Sequence, residues 1–109
     1  MDNNFGIEDA DLETIIEVIS DVAEVNEIII FGSRAKGTFR RGSDVDLALK
    51  GQQLTTHTIS HISNILNEET TMPYHFDVIN YHTINNVHLC EHIDRVGRSI
   101  YKKKSAEVA

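Results

Sequence analysis

Two aspartates, Asp44 and Asp46, stand two residues apart behind a Gly32-Ser33 pair, with ten residues between the motifs. In a strand, side chains at i and i+2 leave the same face, about 6.6 Å apart along the chain. Two carboxylates that close repel each other, and folding alone gives no reason to pair them. A pair of divalent ions, typically ~3.5–4 Å apart, gives such a reason because it needs bridging carboxylate oxygens. The segment between the motifs carries Arg34, Lys36, Arg40 and Arg41 and no acid before Asp44. A basic loop ahead of two acids suits a polyanion with its metals, such as a nucleoside triphosphate; the plain alternative is a solvated loop. Glycine lets a phosphate approach the backbone closely, and a helical turn opened by Ser33 would add N-terminal amides.

A third carboxylate would complete such a site, and Asp77 is the best candidate. Phe76-Asp77-Val78-Ile79 reads as a strand with one acid among apolar neighbours. An acid there is costly unless it faces a rim, a cation or a metal. Alone, Asp77 reads equally well as an edge-strand acid in water. Beside the other two it reads as a metal ligand that could also take the proton of an acceptor hydroxyl.

These residues need a sheet to hold them. Leu12, Ile15, Ile16, Ile19, Val22 and Ala23 recur at helical spacing, predicting a helix from about Glu8 to Ala23 with Asp9 and Asp11 at its start. Val25 to Phe31 is a β-branched apolar run that predicts a buried strand ended by Gly32. Ser33 to Gly42 predicts a helical turn and a loop. Asp44 to Leu49 alternates, with Asp44, Asp46 and Ala48 on one face and Val45, Leu47 and Leu49 toward the core. Thr55 or Thr56 caps a second helix with an Ile59, Ile62, Ile65, Leu66 stripe, and Pro73 precedes a strand at His75 to Ile79. A last helix is expected over Ile84 to Val96, with Gly97 as a left-handed stop and Ser99 to Tyr101 as a short edge segment. The expected architecture is an α/β (α+β) domain over residues 1–101, a small mixed sheet of three or four strands packed by helices. Residues 102–109 are expected to form a basic, fraying tail.

Composition narrows the function. At 109 residues the chain has room for one domain and no second module. No apolar run approaches the ~20 residues of a membrane span, and the acidic start Met1-Asp2-Asn3-Asn4 is unlike a signal peptide. One cysteine, Cys90, permits no internal disulfide and fits a cytoplasmic location. The net charge of −7 counts against sequence-independent binding to long nucleic acids.

Phe31-Gly32-Ser33-Arg34-Ala35-Lys36-Gly37 and Ser43-Asp44-Val45-Asp46-Leu47, with a later acid on a strand, resemble the signature of the DNA polymerase β-type nucleotidyltransferase superfamily. The wording is similar to its minimal nucleotidyltransferase (MNT) branch, small prokaryotic domains often encoded beside a helical HEPN protein. The resemblance implies a polymerase β-like fold and transfer of a nucleoside monophosphate from an NTP to an acceptor, releasing pyrophosphate. It further implies ATP as donor, AMP as the transferred group and two Mg²⁺ ions. Gly32 and Ser33 would contact the triphosphate, Asp44 and Asp46 would hold both ions, and Asp77 would complete the acceptor-side metal. Arg34 and Lys36 lie where they could neutralise the phosphates. In this branch the partner is a HEPN toxin, with the domain as antitoxin, and so small a chain would take its acceptor surface from that partner or a second copy.

Rival readings keep their place. The domain could neutralise a partner by contact alone, or transfer the nucleotide to a small molecule or an RNA end. His88-Leu89-Cys90-Glu91-His92 has the H-x-x-E-H spacing of a zinc-protease class but lacks an obvious third ligand. His57 and His61 repeat the i, i+4 spacing without Cys or acid partners. Cys90 among Val87, Ile93 and Val96 reads as a packed thiol, and Tyr74, Tyr81 and Tyr101 are too scattered for a stacking platform.

Overall fold

The computed structural model describes residues 4–104. Nine elements follow one another: α1 (Asp9–Ser20), β1 (Glu27–Phe31), α2 (Gly32–Lys36), β2 (Val45–Lys50), α3 (Thr56–Glu68), β3 (Phe76–Asn80), a 3₁₀ turn (Tyr81–Thr83), α4 (Val87–Val96) and β4 (Arg98–Lys102). The sheet order is β3-β2-β1-β4, with β1 antiparallel to both β2 and β4, and β2 parallel to β3. The expected mixed sheet is thus four-stranded. Its two inner strands, β1 and β2, are those of the Gly-Ser and Asp-x-Asp motifs.

The β-branched run of β1 is buried on both faces of the sheet. Ile28 and Ile30 join Val45, Leu47 and Leu49 under α1 and α3, where Leu12, Ile15, Ile19, Ile62 and Leu66 close the main core. Ile29, Phe31 and Ala48 look the other way and pack against Ile93 of α4, with Ile79, Ile84 and Leu89 around them. Ala48, on the acids' side of β2, therefore roofs a second small core. The Asp44–Asp46–Ala48 face is polar only at its beginning, where α4 stops covering it.

Two boundaries shift for local reasons. The first helix ends at Ser20, and Val22 N–H to Ile19 O and Val25 N–H to Val22 O carry the chain through turns into β1. The last helix starts at Val87, because the Asn86 side chain accepts from the His88 and Leu89 N–H groups and caps it there. Val87 is left 61 % exposed and outside the apolar stripe it was expected to share with Cys90. The second long helix follows expectation: Thr55 Oγ1 accepts from Thr58 N–H at 3.1 Å.

Gly97 is not a left-handed stop. Its φ is −63°, ordinary for any residue. The constraint is space, since a Cβ there would run into the Ile93 carbonyl oxygen and the Ile29 side chain. The chain turns at once into β4, which includes Lys102, and Lys103 N–H donates to Asn26 O at 2.7 Å. Lys102 and Lys103 are therefore part of the sheet's edge and not of a frayed tail; residues 105–109 of that expected tail lie outside the described residues. Gly97→Ala is expected to destabilise the protein by about 1–3 kcal/mol through overpacking. A urea titration checks this: the midpoint falls while the denaturant slope is kept, and an unchanged midpoint would count against the contact.

Candidate active site

Asp46 sits on an inner strand with neighbours on both sides. Across the antiparallel ladder it faces Phe31, the residue before Gly32; across the parallel ladder it faces Asp77. Adjacent strands lie about 4.8 Å apart, and like charges at paired positions are destabilising. Asp46 is half-buried, and its pKa is pushed up to about 6. Burial contributes most, followed by the charges of Asp77 and Asp44, with Arg34 and His75 offsetting part of the effect.

Asp44 and Asp77 are exposed. Asp44 precedes β2, and its Oδ1 lies 3.5 Å from His75 Nδ1. Val45 N–H bonds to His75 O at 2.9 Å, so the β2–β3 pairing begins beside these two side chains. Asp77 is held from the opposite side. The Asn67 side chain on α3 receives Phe76 N–H at 2.8 Å and donates to Phe76 O at 3.0 Å. That pair of hydrogen bonds pins the start of edge strand β3 to α3 and fixes the strand that presents Asp77.

Gly32 connects β1 directly to α2 with φ +76°, a conformation that a side chain disfavours. The space a Cβ would take there is filled by the Asp46 carboxylate. Glycine is required twice, once by the backbone and once by the acid lying against it. Anything that approaches the Gly32-Ser33 backbone meets Asp46 at the same time. Ser33 continues α2, with its carbonyl accepting from Gly37 and Thr38 N–H groups.

The two basic candidates do not join this group. Arg34, expected at the phosphates, is instead buried, at 4 % exposure. Its guanidinium donates to Phe5 O and Gly6 O at 2.8 and 3.1 Å, and to Ser43 O at 3.2 and 2.8 Å. The rings of Phe39 and Tyr74 flank it at 5.4 and 5.3 Å. Arg34 ties the N-terminal segment to the residue preceding Asp44; its charge reaches Asp46 only at a distance. Lys36 lies exposed at the far end of α2.

His75 is the neighbour that sequence reasoning passed over. The i, i+2 rule that picks out Asp44 and Asp46 applies equally to His75 and Asp77, and would have drawn attention to it. His92 of the H-x-x-E-H segment stacks edge-on against Phe31, with ring centres 6.2 Å apart, which gives that ring a packing partner in the second core.

Among the described residues no three His, Cys, Asp or Glu side chains converge into a ready-made metal cage. The acids nevertheless suit a divalent cation. Two face each other across strands and a third stands close by, and burial together with these neighbouring acids raises the pKa of Asp46. Mg²⁺ commonly binds through one or two carboxylates, several waters and substrate phosphates, and needs no all-protein cage.

The glycine-to-acid contact and the acid pair on adjacent strands together make up the candidate site. The sequence profile of the family "Polymerase beta, Nucleotidyltransferase" matches residues 13–106. The chain belongs to this family. A search of curated protein sequences found no match. Among solved structures, one similar chain belongs to a toxin–antitoxin complex with AMP-PNP (TM-score 0.71, 21 % identity, covering 85 % of this chain and 74 % of the other). Another belongs to the complex of a tri-AMPylated HEPN toxin with its MNT antitoxin from Shewanella oneidensis (TM-score 0.66, 17 % identity, covering 86 % and 71 %). A third belongs to the MntA–HepT toxin–antitoxin complex (TM-score 0.67, 16 % identity, covering 88 % and 74 %). At these identities the likeness is one of fold. Among the described residues no helix is long and apolar enough to cross a membrane.

Two outcomes follow from this geometry. The unfolded chain ionises Asp46 near 3.8 and the folded chain near 6, so between these values the folded state holds the extra proton and rising pH removes stability. Asp46→Asn should therefore raise the melting temperature in EDTA at pH 8, and the gain should shrink toward pH 4; an equal gain at both pH values would rule out a cost of ionising Asp46 in the folded state. Arg34→Met, which removes the one guanidinium that bonds the Phe5, Gly6 and Ser43 carbonyls together, should cost about 2–4 kcal/mol. Arg34→Lys should recover little of that in chemical denaturation, because one ammonium cannot span all three carbonyls.

Proposed function

We propose that this protein transfers AMP from ATP to a hydroxyl on a HEPN-type partner protein, in the manner of an MNT antitoxin. The observation that carries this reading is the register of Asp46 with Asp77 on adjacent strands, beside the Gly32-Ser33 turn. The family assignment supports nucleotidyl transfer as the chemistry, and similar folds in complexes with AMP-PNP and with an AMPylated toxin support ATP as donor and a HEPN protein as acceptor.

In this reading the triphosphate lies along the Gly32-Ser33 backbone, beside the Asp46 carboxylate that packs against Gly32. Asp44, Asp46 and Asp77 would hold two Mg²⁺ ions. Bound there, such ions neutralise charge on the transferred phosphoryl group and stabilise the attacking and leaving oxygens. Asp77, exposed on an edge strand, is open to an acceptor from outside and takes the proton from its hydroxyl. The acceptor oxygen bonds to the α-phosphorus, the bond to the bridging oxygen breaks, and pyrophosphate leaves. The Asp44 carboxylate lies 3.5 Å from His75 Nδ1, beside the start of β3.

The test is transfer of label from each of the four NTPs, α-labelled, with Mg²⁺ and a HEPN-type protein encoded beside this chain. Label should pass from ATP to that protein, and the Asp44→Ala, Asp46→Ala double variant should lose transfer by on the order of 10²-fold or more. Transfer at the wild-type level by the double variant would reject these acids as the catalytic set. If Asp44→Asn with Asp46→Asn still neutralises the partner in cells, neutralisation is by contact and not by modification.

A further inference from the structure

Four of the chain's five lysines line a single cleft of about 670 Å³ at the end of the sheet opposite the acids. Lys50 ends β2 and Lys102 ends β4; both are register partners of Glu27, the first residue of β1. Lys103 and Lys104 continue from β4, and His82, whose Nε2 accepts Gly51 N–H at 3.1 Å, closes the remaining side. The volume lies within the range of binding pockets, commonly about 300–1,000 Å³.

Clustering of this kind in a chain of net charge −7 is opposed by its own repulsion unless each lysine has a partner. The partners are few. Lys50 Nζ rests over the Tyr81 ring at 4.4 Å, and Lys103 Nζ donates to Ala23 O at 2.8 Å. Neither contact neutralises a charge. Among the described residues the one ion pair within 4.0 Å is His75–Asp44, so none of the four lysines is paired, even with Glu27 between two of them. The fold thus gathers four ammonium groups and one carboxylate, that of Glu27, in a concave site with a net positive lining.

Distance separates this cleft from the reacting centre. Asp46 and Lys50 are four residues apart on one strand, about 13 Å along it. An anion in the lysine cleft is therefore a second point of attachment and not the reacting triphosphate. We propose that the cleft docks an acidic segment of the partner protein that accepts the nucleotide, holding that partner while its hydroxyl reaches the Asp77 edge. This rests on the reading that the acceptor is a protein. A peptide segment fits better than an RNA strand: the positive surface is confined to one cleft, and α1 with its following turns carries Asp9, Asp11, Glu13, Glu17 and Asp21, which would repel a longer polyanion. Electrostatic docking of this kind acts mainly on encounter and specificity.

The experiment measures binding of fluorescent hexaglutamate to the full chain by anisotropy at low and physiological salt. Three proteins are compared: wild type, Lys102→Gln with Lys104→Gln, and Asp44→Ala with Asp46→Ala. Lys50 and Lys103 are left intact because their contacts belong to the fold. The wild type should bind, the lysine variant should bind about tenfold more weakly with a reduced salt dependence, and the aspartate variant should bind at least as well as wild type. The lysine variant should keep MgATP binding and its melting temperature. Equal peptide binding by the lysine variant and wild type overturns the proposal. So does tighter binding of hexauridylate through the same lysines, which assigns the cleft to RNA, or a loss of self-association in that variant, which assigns it to a second copy. If peptide binding behaves as expected but no label is ever transferred, the catalytic reading fails and the docking cleft stands.

Discussion

The structure is organised around an unfavourable contact: a carboxylate on an inner strand with a second carboxylate beside it on the neighbouring strand. Asp46 is half-buried, faces Asp77 in register, and has Asp44 two residues away. Any arrangement that relaxed this repulsion by shifting β2 one residue would turn Leu47 and Leu49 away from the core. The apolar half of the strand therefore enforces the charged half. Alternation is what makes this possible, since a strand can bury 45, 47 and 49 completely while offering 46 to another chemistry.

The supports around Asp46 are each simple and independent. Phe76 is clamped by one asparagine side chain from α3, which sets the edge strand. Gly32 yields the volume of a methyl group so that the carboxylate can lie against the backbone. Arg34, the single buried charged side chain among the described residues, draws three carbonyls from two distant segments together just before Asp44. A guanidinium suits that task because its donors spread in a plane. Burial of its charge without a carboxylate partner is tolerable because carbonyl dipoles and two aromatic faces surround it.

Local pattern made much of this legible. Strict alternation from Asp44 to Leu49 predicted both the strand and the side on which its acids stand; Asp77, ambiguous alone, was singled out only beside those two acids, and the register sets it next to Asp46. What escaped were relations between distant segments. Nothing near Arg34 in sequence shows that Phe5, Gly6 and Ser43 converge on it, so its place in a basic loop suggested phosphate. Gly97 was read from the commonest reason for glycine after a helix, whereas its reason is the closeness of Ile29 on another strand. The start of α4 escaped because Ile84 has the right apolar spacing but belongs to a turn; Asn86, the actual cap, signals its role only through its side chain. Periodicity reports on an element's own face and not on who meets it.

The antiparallel pairing of β1 with β2 also gives the sheet two ends of opposite character. Phe31 is brought to Asp46 at one end and Glu27 to Lys50 at the other, so the strand that delivers the glycine turn to the acids starts beside the lysines. β4 runs back along β1 from Arg98 beside Ile30 to Lys102 beside Glu27, and adds its own lysines to the second end. The acid end is short of cations and the lysine end short of anions, and neither can satisfy the other across about 13 Å of packed strand. Charge separated in this way along a rigid sheet is complementary to something that spans it. A small substrate occupying the acid end alone would leave the lysines unmatched, whereas a macromolecular acceptor can engage both ends at once and be oriented by the difference between them.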